Sequence, residues 1–223
     1  MSDNFNRIPR GVHDILPEDE KYWTFIENTA KKYSESMGLS RVSTPIIDFK
    51  NLFFRSVGGQ TDIVKKEIFS VSRQGSDEKI EDSDELILRP EATAQLARAY
   101  TQYGMHTLPQ PVRLYYLREP MFRYERPQAG RYRQFFQYGV EIFGSDDPLT
   151  DAHLILLLWQ IFEEIGLTNQ IVVDINTIGC KDCRPNIKKQ ITKYYKGRED
   201  ELCEDCKERL KKNPLRILDC KNE

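Results

Sequence analysis

Arginines and aromatic rings are interleaved in one short stretch of this 223-residue chain, FRYERPQAGRYRQFFQYGVEIFG, which runs from Phe122 to Gly144. The arginines stand at positions 123, 126, 131 and 133, although the whole chain carries a net charge of only -2. Guanidinium groups form paired hydrogen bonds to phosphate oxygens, and aromatic rings stack on nucleobases. The stretch therefore has the chemistry to bind a nucleotide or a nucleic acid.

Two strands joined by a loop at residues 128–130 are expected to position these side chains. Side chains alternate between the faces of a strand, so Phe136, Tyr138, Val140 and Ile142 form an apolar core face. Phe135, Gln137, Gly139 and Glu141 lie on the other face. We expect a polar floor there, under the loop that carries Arg131, made of Arg123, Glu125, Gln137 and Glu141. On this floor Phe135 can stack on a base and Glu141 can hold an ammonium group.

A solvated sheet face, with its arginines paired to nearby acids, is the alternative interpretation of this pattern. Gly139 favours the ligand-binding interpretation. Glycine in mid-strand weakens the strand, and it often marks a position that a ligand or another group approaches closely.

The rest of the chain predicts an α+β fold with a mostly antiparallel sheet flanked by helices. LPEDEKYWTFIENTAKKYSESMG, PEATAQLARAYTQYG and PLTDAHLILLLWQIFEEIGL have helical periodicity, with Glu91 in the first turn of the second helix. SRVSTPIID predicts a strand interrupted by Pro45, EIFSVSR and DELILRP predict a strand pair, and QIVVDINTIG predicts a last strand. Short polar links favour antiparallel pairing. We predict a core domain over residues 1–178 and a charged, helical, cysteine-containing subdomain over 179–223.

Composition excludes several classes of protein. Hydrophobic residues make up 39% of the chain, which is enough for a core. No apolar run reaches the length of a membrane span, and the N-terminus has no apolar signal region, so we expect a cytoplasmic protein without a membrane partner. The glycine-rich phosphate-binding motifs are absent. The near-neutral charge also argues against a further interpretation, that the chain is an RNA-binding fragment stabilised by zinc.

Four of the five cysteines form two close pairs, with the spacing C-x2-C-x19-C-x2-C. Four thiolates satisfy the tetrahedral coordination of Zn²⁺, and a bound metal ion can stabilise a short charged subdomain. Four reduced thiols without a metal are the alternative. The predicted zinc ligands are Cys180, Cys183, Cys203 and Cys206.

Several segments together resemble the histidyl-tRNA synthetase family of class II aminoacyl-tRNA synthetases. They are RGVHDILP, GGQTDIVKKEIF, LRPEATAQLAR, the arginine-rich stretch, and NPLRILDCKN, and they span almost the whole chain. The arginine-rich stretch is similar to motif 2 of that class, and the region around Pro45 is similar to motif 1. The resemblance implies ATP-dependent activation of histidine to histidyl-adenylate and transfer to tRNA-His. It also implies a homodimer formed through the motif 1 region.

The resemblance also implies roles for individual residues. Arg123 would be catalytic, contacting the α-phosphate of ATP and the carboxylate of histidine. The remaining ATP contacts would come from Glu125, Arg131 and Phe135, with Mg²⁺ bridging the phosphates. The other histidine contacts would come from Glu91, Ala92, Thr93, Gln137 and Glu141.

The third class-defining motif and the anticodon-binding domain of the family have no counterpart in the sequence. We therefore expect this chain alone to complete the reaction poorly. The alternative function is that of the non-catalytic, histidine-sensing regulatory subunit of ATP phosphoribosyltransferase, which resembles the same family. Such a regulator does not need Arg123, Glu125, Arg131 and Phe135 together, so their joint presence favours the ligase.

Overall fold

The computed structural model describes residues 7–56, 68–72, 85–124, 126–177 and 179–220. The chain divides into two compact units, Met1–Gln170 and Ile171–Glu223. The boundary predicted between residues 178 and 179 falls inside the second unit. Among the described residues, no helix combines the length and the apolar character needed to cross a membrane.

Helix α1, Pro17–Ser36, begins the first unit as the sequence predicted. Pro17 suits a first helical turn because its missing N–H would have no helical partner there. The three acidic residues that follow it, Glu18, Asp19 and Glu20, face the positive end of the helix dipole. The helix ends next to Gly38, whose φ of +74° is in the left-handed region that glycine adopts at little cost.

The larger sheet has three strands in the order β1-β5-β6: Ser40–Arg41, Val112–Phe122 and Gln134–Phe143. β1 runs parallel to β5, and β5 pairs with β6 in antiparallel register from Val112 opposite Phe143 to Phe122 opposite Gln134. The predicted hairpin around the arginine-rich loop is therefore confirmed.

A bulge interrupts β5 between Tyr116 and Glu119. Arg118 there has a φ of 55°, which is uncommon for a residue other than glycine. Its guanidinium is held by two carboxylates of α1, Glu20 at 2.7 Å and Glu27 at 2.8 Å. A bulge shifts the alternation of side chains along a strand. Tyr116 and Met121 consequently pack in the same core cluster although their numbers differ in parity.

The smaller sheet has the order β2-β4-β3, formed by Ile47–Phe49, Leu86–Leu88 and Ser70–Val71, with both pairs antiparallel. The single interrupted strand predicted around Pro45 is two strands in two different sheets. Pro45 lies between them, where its missing N–H interrupts no ladder. The predicted pairing of EIFSVSR with DELILRP is confirmed in β3 and β4.

The described part of this unit contains three further helices: α2, Lys50–Ser56; α3, Thr93–Gln102; and α4, Pro148–Ile165. Short 3-10 turns follow at Met105–Thr107 and Thr168–Gln170. The Asp147 carboxylate caps α4 by accepting from the Leu149 N–H at 2.9 Å.

Both faces of the larger sheet are packed. On one face, the core consists of Ala30 of α1, Leu39 before β1, Tyr115 and Leu117 of β5, and Leu157 and Ile161 of α4, with Tyr138 and Val140 against it. On the other face, a second core consists of Ala92 just before α3, Leu96 of α3, and Val112, Leu114, Tyr116 and Met121 of β5, with Phe135 against it. The face that carries Phe135 is therefore not an open solvated surface.

The second unit is helical and small. It contains α5, Cys183–Tyr195, and α6, Glu204–Lys212, with 3-10 turns at Glu199–Glu201 and Pro214–Asp219. The strand predicted over residues 170–179 is wrong, because residues 171–177 have no regular secondary structure. No described strand pairs with this segment, and Val172 and Ile175 are 83% and 79% exposed.

Candidate functional site

The predicted polar residues of β6 meet the start of α3. The Thr93 hydroxyl donates a hydrogen bond of 2.7 Å to Glu141 Oε1. Burial raises the pKa of the Glu141 carboxyl, the Thr93 hydrogen bond partly opposes this, and the charge of Glu91 adds to the increase. A partly buried carboxylate held by one hydroxyl is suited to binding a cationic group.

Glu91 lies just before α3 and caps it. The helix starts at Thr93, not at Pro90, so the expectation that Glu91 lies in its first turn is wrong. The two carboxylate oxygens of Glu91 instead accept from the Ala94 N–H at 3.0 and 3.3 Å. They substitute for a cap at Ala92, which has no polar side chain and is buried. The negative charge of Glu91 is thereby fixed near Glu141.

Tyr116 is close enough to both carboxylates for their charges to act on it, and it was not identified from the sequence. Burial, and then the charges of Glu141 and Glu91, raise the pKa of its phenol to about 12. Tyr116 pairs with Gly139 across the hairpin, and a Cβ at position 139 would overlap the phenol ring. The glycine is therefore explained by the neighbouring tyrosine, so it is not evidence for close approach of a ligand.

Gln137 lies on the same strand face, between Phe135 and Glu141. Its Oε1 atom is buried and accepts no hydrogen bond from any described residue. A buried amide oxygen without a donor costs about 1–3 kcal/mol. An incoming N–H or O–H group at this point would remove that cost.

Arg123 follows β5 and lies near the loop end of the hairpin. Its Nε donates to the Pro90 carbonyl oxygen at 3.2 Å, and its guanidinium carbon lies 5.3 Å from the centre of the Phe135 ring. The guanidinium and the ring therefore form a cation–π pair next to the segment that leads into α3. Of the predicted site residues, Glu91, Ala92, Thr93 and Glu141 thus lie at the junction of α3 with β6, Arg123 and Phe135 lie together nearer the loop, and Gln137 lies between them on β6.

Arg131 lies on the hairpin loop. Its backbone forms two hydrogen bonds with Gln128, of 2.9 and 3.2 Å, around a turn that contains Gly130 at a φ of +74°. The Arg131 side chain is exposed. Gly11 of the RGVHDILP segment accepts from the N–H of Arg133 at 2.6 Å, which links that segment to the loop. Glu125 lies outside the described residues.

Arg89 is a second residue that sequence reasoning missed. It is fully buried, and its guanidinium donates to Glu119 at 2.5 Å, to the Pro120 carbonyl at 2.8 Å and to the Thr44 carbonyl at 2.8 Å. It thereby joins the end of β4 to the bulged part of β5. The available signal was its position between the apolar run Leu86–Leu88 and Pro90. An arginine that directly follows a buried strand needs a buried partner for its charge.

The cysteines do not assemble as the four-residue pattern predicted. The Sγ atoms of Cys203, Cys206 and Cys220 all lie within 4.8 Å of one another. Cys180 and Cys183 are exposed and contact each other, with the Cys180 N–H 2.9 Å from Cys183 Sγ. Burial and then the neighbouring thiols raise the pKa of Cys206 to about 11. The structure therefore replaces one predicted pair with Cys220.

Comparison with known proteins identifies the family. The sequence model of the family described as histidyl-tRNA synthetase matches residues 11–182. The histidine–tRNA ligases of Desulforamulus reducens and Dehalococcoides mccartyi are both 46% identical to this chain over 215 residues, which is 96% of this chain and 49% of each relative.

Two solved structures extend the likeness to the fold. Apo histidyl-tRNA synthetase of S. aureus matches with a TM-score of 0.72 and 33% identity, over 95% of this chain and 47% of that one. An ATP phosphoribosyltransferase regulatory subunit/histidyl-tRNA synthetase of Bacillus halodurans matches with a TM-score of 0.60 and 22% identity, over 94% of this chain and 56% of that one. The chain thus spans about half the length of the curated relatives it matches. On the extent of the family match, the chain belongs to the histidyl-tRNA synthetase family.

Proposed function

We propose that this chain carries the histidine- and ATP-binding site of a histidine–tRNA ligase. The main supporting observation is the junction of α3 with β6, where Thr93 and Glu141 are hydrogen-bonded and the buried oxygen of Gln137 has no described partner. An amino acid with a cationic amine and a side-chain N–H group offers the donors that this arrangement needs. Histidine has both.

In this proposal each polar group binds one part of histidine. The carboxylate of Glu141 and the hydroxyl of Thr93 hold an N–H group of the imidazole ring, and the Gln137 amide oxygen accepts from the α-ammonium group, which lies closer to Arg123. The guanidinium of Arg123 pairs with the histidine carboxylate. Glu91 adds negative charge while it caps α3, and buried Ala92 fixes the backbone at the helix start.

ATP would bind at the end of the sheet where Arg123 lies beside Phe135. The guanidinium contacts the α-phosphate, Phe135 stacks on adenine, and the exposed Arg131 reaches the outer phosphates. Glu125 is proposed to face the adenine. Mg²⁺ enters as part of the nucleotide substrate, bridging its phosphate oxygens.

The chemical step would be attack by a histidine carboxylate oxygen on the α-phosphorus of ATP. The bond to the bridging oxygen breaks, and pyrophosphate leaves with that electron pair. Arg123 is the proposed catalytic residue, because a guanidinium at the α-phosphate stabilises the negative charge that builds up in the transition state. The histidyl group is then transferred to a ribose hydroxyl of tRNA-His, with release of AMP.

A homodimer is proposed through the segment after Pro45. Ile47 and Phe49 are on an edge strand and are 45% and 51% exposed, and the adjacent Ile46 is also exposed. An exposed apolar edge favours pairing with another chain. A cytoplasmic location is proposed because the chain belongs to the histidyl-tRNA synthetase family.

Calorimetric titrations of the chain with histidine, and with Mg²⁺–ATP, test these proposals. We expect both ligands to bind, with histidine preferred over alanine and glutamine. Histidine binding without ATP binding would favour the regulatory-subunit alternative, and binding of neither would contradict the proposed site. Because the chain spans about half its relatives' length, we propose that histidine-dependent pyrophosphate exchange by this chain alone is weak.

A further inference from the structure

Three cysteine sulfurs converge in the second unit. Cys203 precedes α6 as its N-cap, Cys206 is in its first turn, and Cys220 directly follows the 3-10 turn Pro214–Asp219. All three Sγ atoms lie within 4.8 Å of one another, and those of Cys203 and Cys220 are 3.9 Å apart. Two separate elements thus direct three thiols to one point.

The spacing of these sulfurs is that of ligands around a shared ion. Zn²⁺ binds thiolates at about 2.3 Å in tetrahedral geometry, which places neighbouring sulfurs roughly 3.8 Å apart. The separation of 3.9 Å between the Sγ atoms of Cys203 and Cys220 agrees with this value. A disulfide would need the sulfurs at about 2.05 Å. The three thiols are therefore close to metal-binding positions without any covalent bond between them.

A partly buried arginine stands next to the sulfurs. Arg209 Nη1 lies 4.0 Å from Cys206 Sγ, and its other hydrogen bond, of 3.5 Å, goes to the Arg216 carbonyl. The Nε of Arg209 is buried without a hydrogen-bond partner among the described residues, and none of their carboxylates forms an ion pair with it. Three thiolates around one divalent cation carry a net charge of -1, which the guanidinium of Arg209 balances.

The position of α6 also favours thiolates. Cys203 and Cys206 lie at the N-terminus of the helix, where the helix dipole stabilises negative charge. The competing explanation is that the cysteines are small apolar core residues, packed with Leu202 and Ile217. Apolar packing alone gives no reason for the partly buried guanidinium of Arg209 to contact the same thiols.

We propose that Cys203, Cys206 and Cys220 bind one Zn²⁺ ion through three thiolates. None of the other described His, Cys, Asp or Glu residues belongs to the cluster, and in this proposal the fourth ligand is a solvent molecule. The ion connects α6 to the turn at Pro214–Asp219 and stabilises the small core of the second unit. Arg209 is a positioning residue that compensates the charge of the site.

Cobalt substitution tests the proposal on the full 223-residue chain, reduced and freed of metal by a chelator. We expect one Co²⁺ per chain, with the sulfur-to-cobalt charge-transfer band of three thiolates and the visible bands of tetrahedral cobalt. Zn²⁺ should then displace Co²⁺ and raise the Tm. Absence of a stoichiometric thiolate band would overturn the proposal.

Matched variants locate the site. Cys206→Ser and Cys220→Ser should each remove much of the thiolate band, whereas the double variant Cys180→Ser, Cys183→Ser should bind Co²⁺ as the unmodified chain does. Arg209→Gln should weaken binding by roughly tenfold, as expected when a group supporting the ligands is lost. Loss of the band in the Cys180, Cys183 variant would instead support the four-cysteine arrangement and contradict ours.

A measurement on the unmodified chain covers the case in which the serine variants do not fold. Alkylation of each cysteine is followed by mass spectrometry with and without Zn²⁺. We expect Zn²⁺ to slow modification of the partly exposed Cys203 and Cys220 and to leave Cys180 and Cys183 unchanged. Equal modification rates with and without Zn²⁺ would contradict the proposal.

Discussion

Thr93 and Glu141 are joined by a hydrogen bond of 2.7 Å that connects the first residue of α3 to strand β6. The bond links two segments that are 48 positions apart in the sequence. It holds the partly buried carboxylate of Glu141 beside the start of the helix, where histidine is proposed to bind. The first prediction concerns this carboxylate.

Replacing Glu141 with Gln keeps a side chain of the same shape and removes the charge. If Glu141 binds an imidazole N–H group of histidine, the variant loses a charge-assisted hydrogen bond worth about 1.5–3 kcal/mol, or roughly a tenfold to hundredfold loss of affinity. Calorimetric titration with histidine measures it. Glu163→Gln on α4 is the control and should bind histidine normally.

The raised pKa of Glu141 gives this site a definite pH dependence. As the pH falls, a carboxyl with a raised pKa becomes protonated before an ordinary glutamate does. The loss of histidine affinity should therefore begin at a higher pH than it would if Glu141 had the ordinary pKa of a glutamate. Stability should show the opposite trend, because the folded chain holds this proton more tightly than the unfolded chain. Its contribution to the free energy of unfolding therefore decreases as the pH rises from the ordinary value through the raised one. Glu141→Gln should abolish both effects.

Replacing Arg123 with Lys keeps the positive charge but removes the planar fork of donors. We expect ATP affinity to fall by roughly tenfold, since the loss of one charge-assisted hydrogen bond costs about 1.5 kcal/mol or more. Arg113→Lys is a matched control, because Arg113 is an exposed arginine of the same hairpin. Equal ATP affinity in both variants would show that Arg123 does not contact the nucleotide.

Replacing Gly139 with Ala should destabilise the hairpin, because the new methyl group overlaps the ring of Tyr116. Overpacking of this kind costs about 1–3 kcal/mol, measured as the free energy of unfolding in urea. The double variant with Tyr116→Ala should show strong coupling, since the methyl group then has space. Simple additivity of the two single effects would mean that the overlap is not the cause.

Removing Arg89 should cost far more than removing a surface cation. Arg89→Met leaves Glu119, which is mostly buried, without its charged partner, and such a change typically costs about 3–5 kcal/mol. Lys32→Met breaks the exposed pair with Glu164, and such pairs contribute about 0–1 kcal/mol. Urea unfolding of both variants compares them, and equal effects would contradict the structural role given to Arg89.

Association through the smaller sheet predicts the behaviour of one further pair of variants. Ile47→Asp places a charge on the exposed edge strand and should convert a dimer into monomers, as measured by light scattering. Val172→Asp introduces the same charge at a more exposed apolar residue of the second unit and should leave the mass unchanged. A monomeric unmodified chain would contradict the proposed dimer outright.

The sequence by itself determined the features that depend on local pattern. Periodicity and end signals predicted α1 and α4, and alternation on both sides of a polar turn predicted the β5–β6 hairpin. Short motifs such as LRPEATAQLAR were sufficient to indicate the family. These features are encoded in neighbouring residues, so they can be recognised without knowledge of distant contacts.

Only the tertiary structure decided the features that depend on distant partners. The bulge at Arg118, held by two carboxylates of α1, shifts the alternation of β5 so that Met121 packs on the face that carries Phe135. Gly139 is explained by a tyrosine on the opposite strand, and none of the described strands pairs with residues 171–177. Pair spacing did not indicate Cys220, because Cys220 reaches Cys203 and Cys206 only through the fold of the second unit. The physical reason is common to all of these cases: strand pairing, burial and ligand geometry depend on which distant segments meet in space.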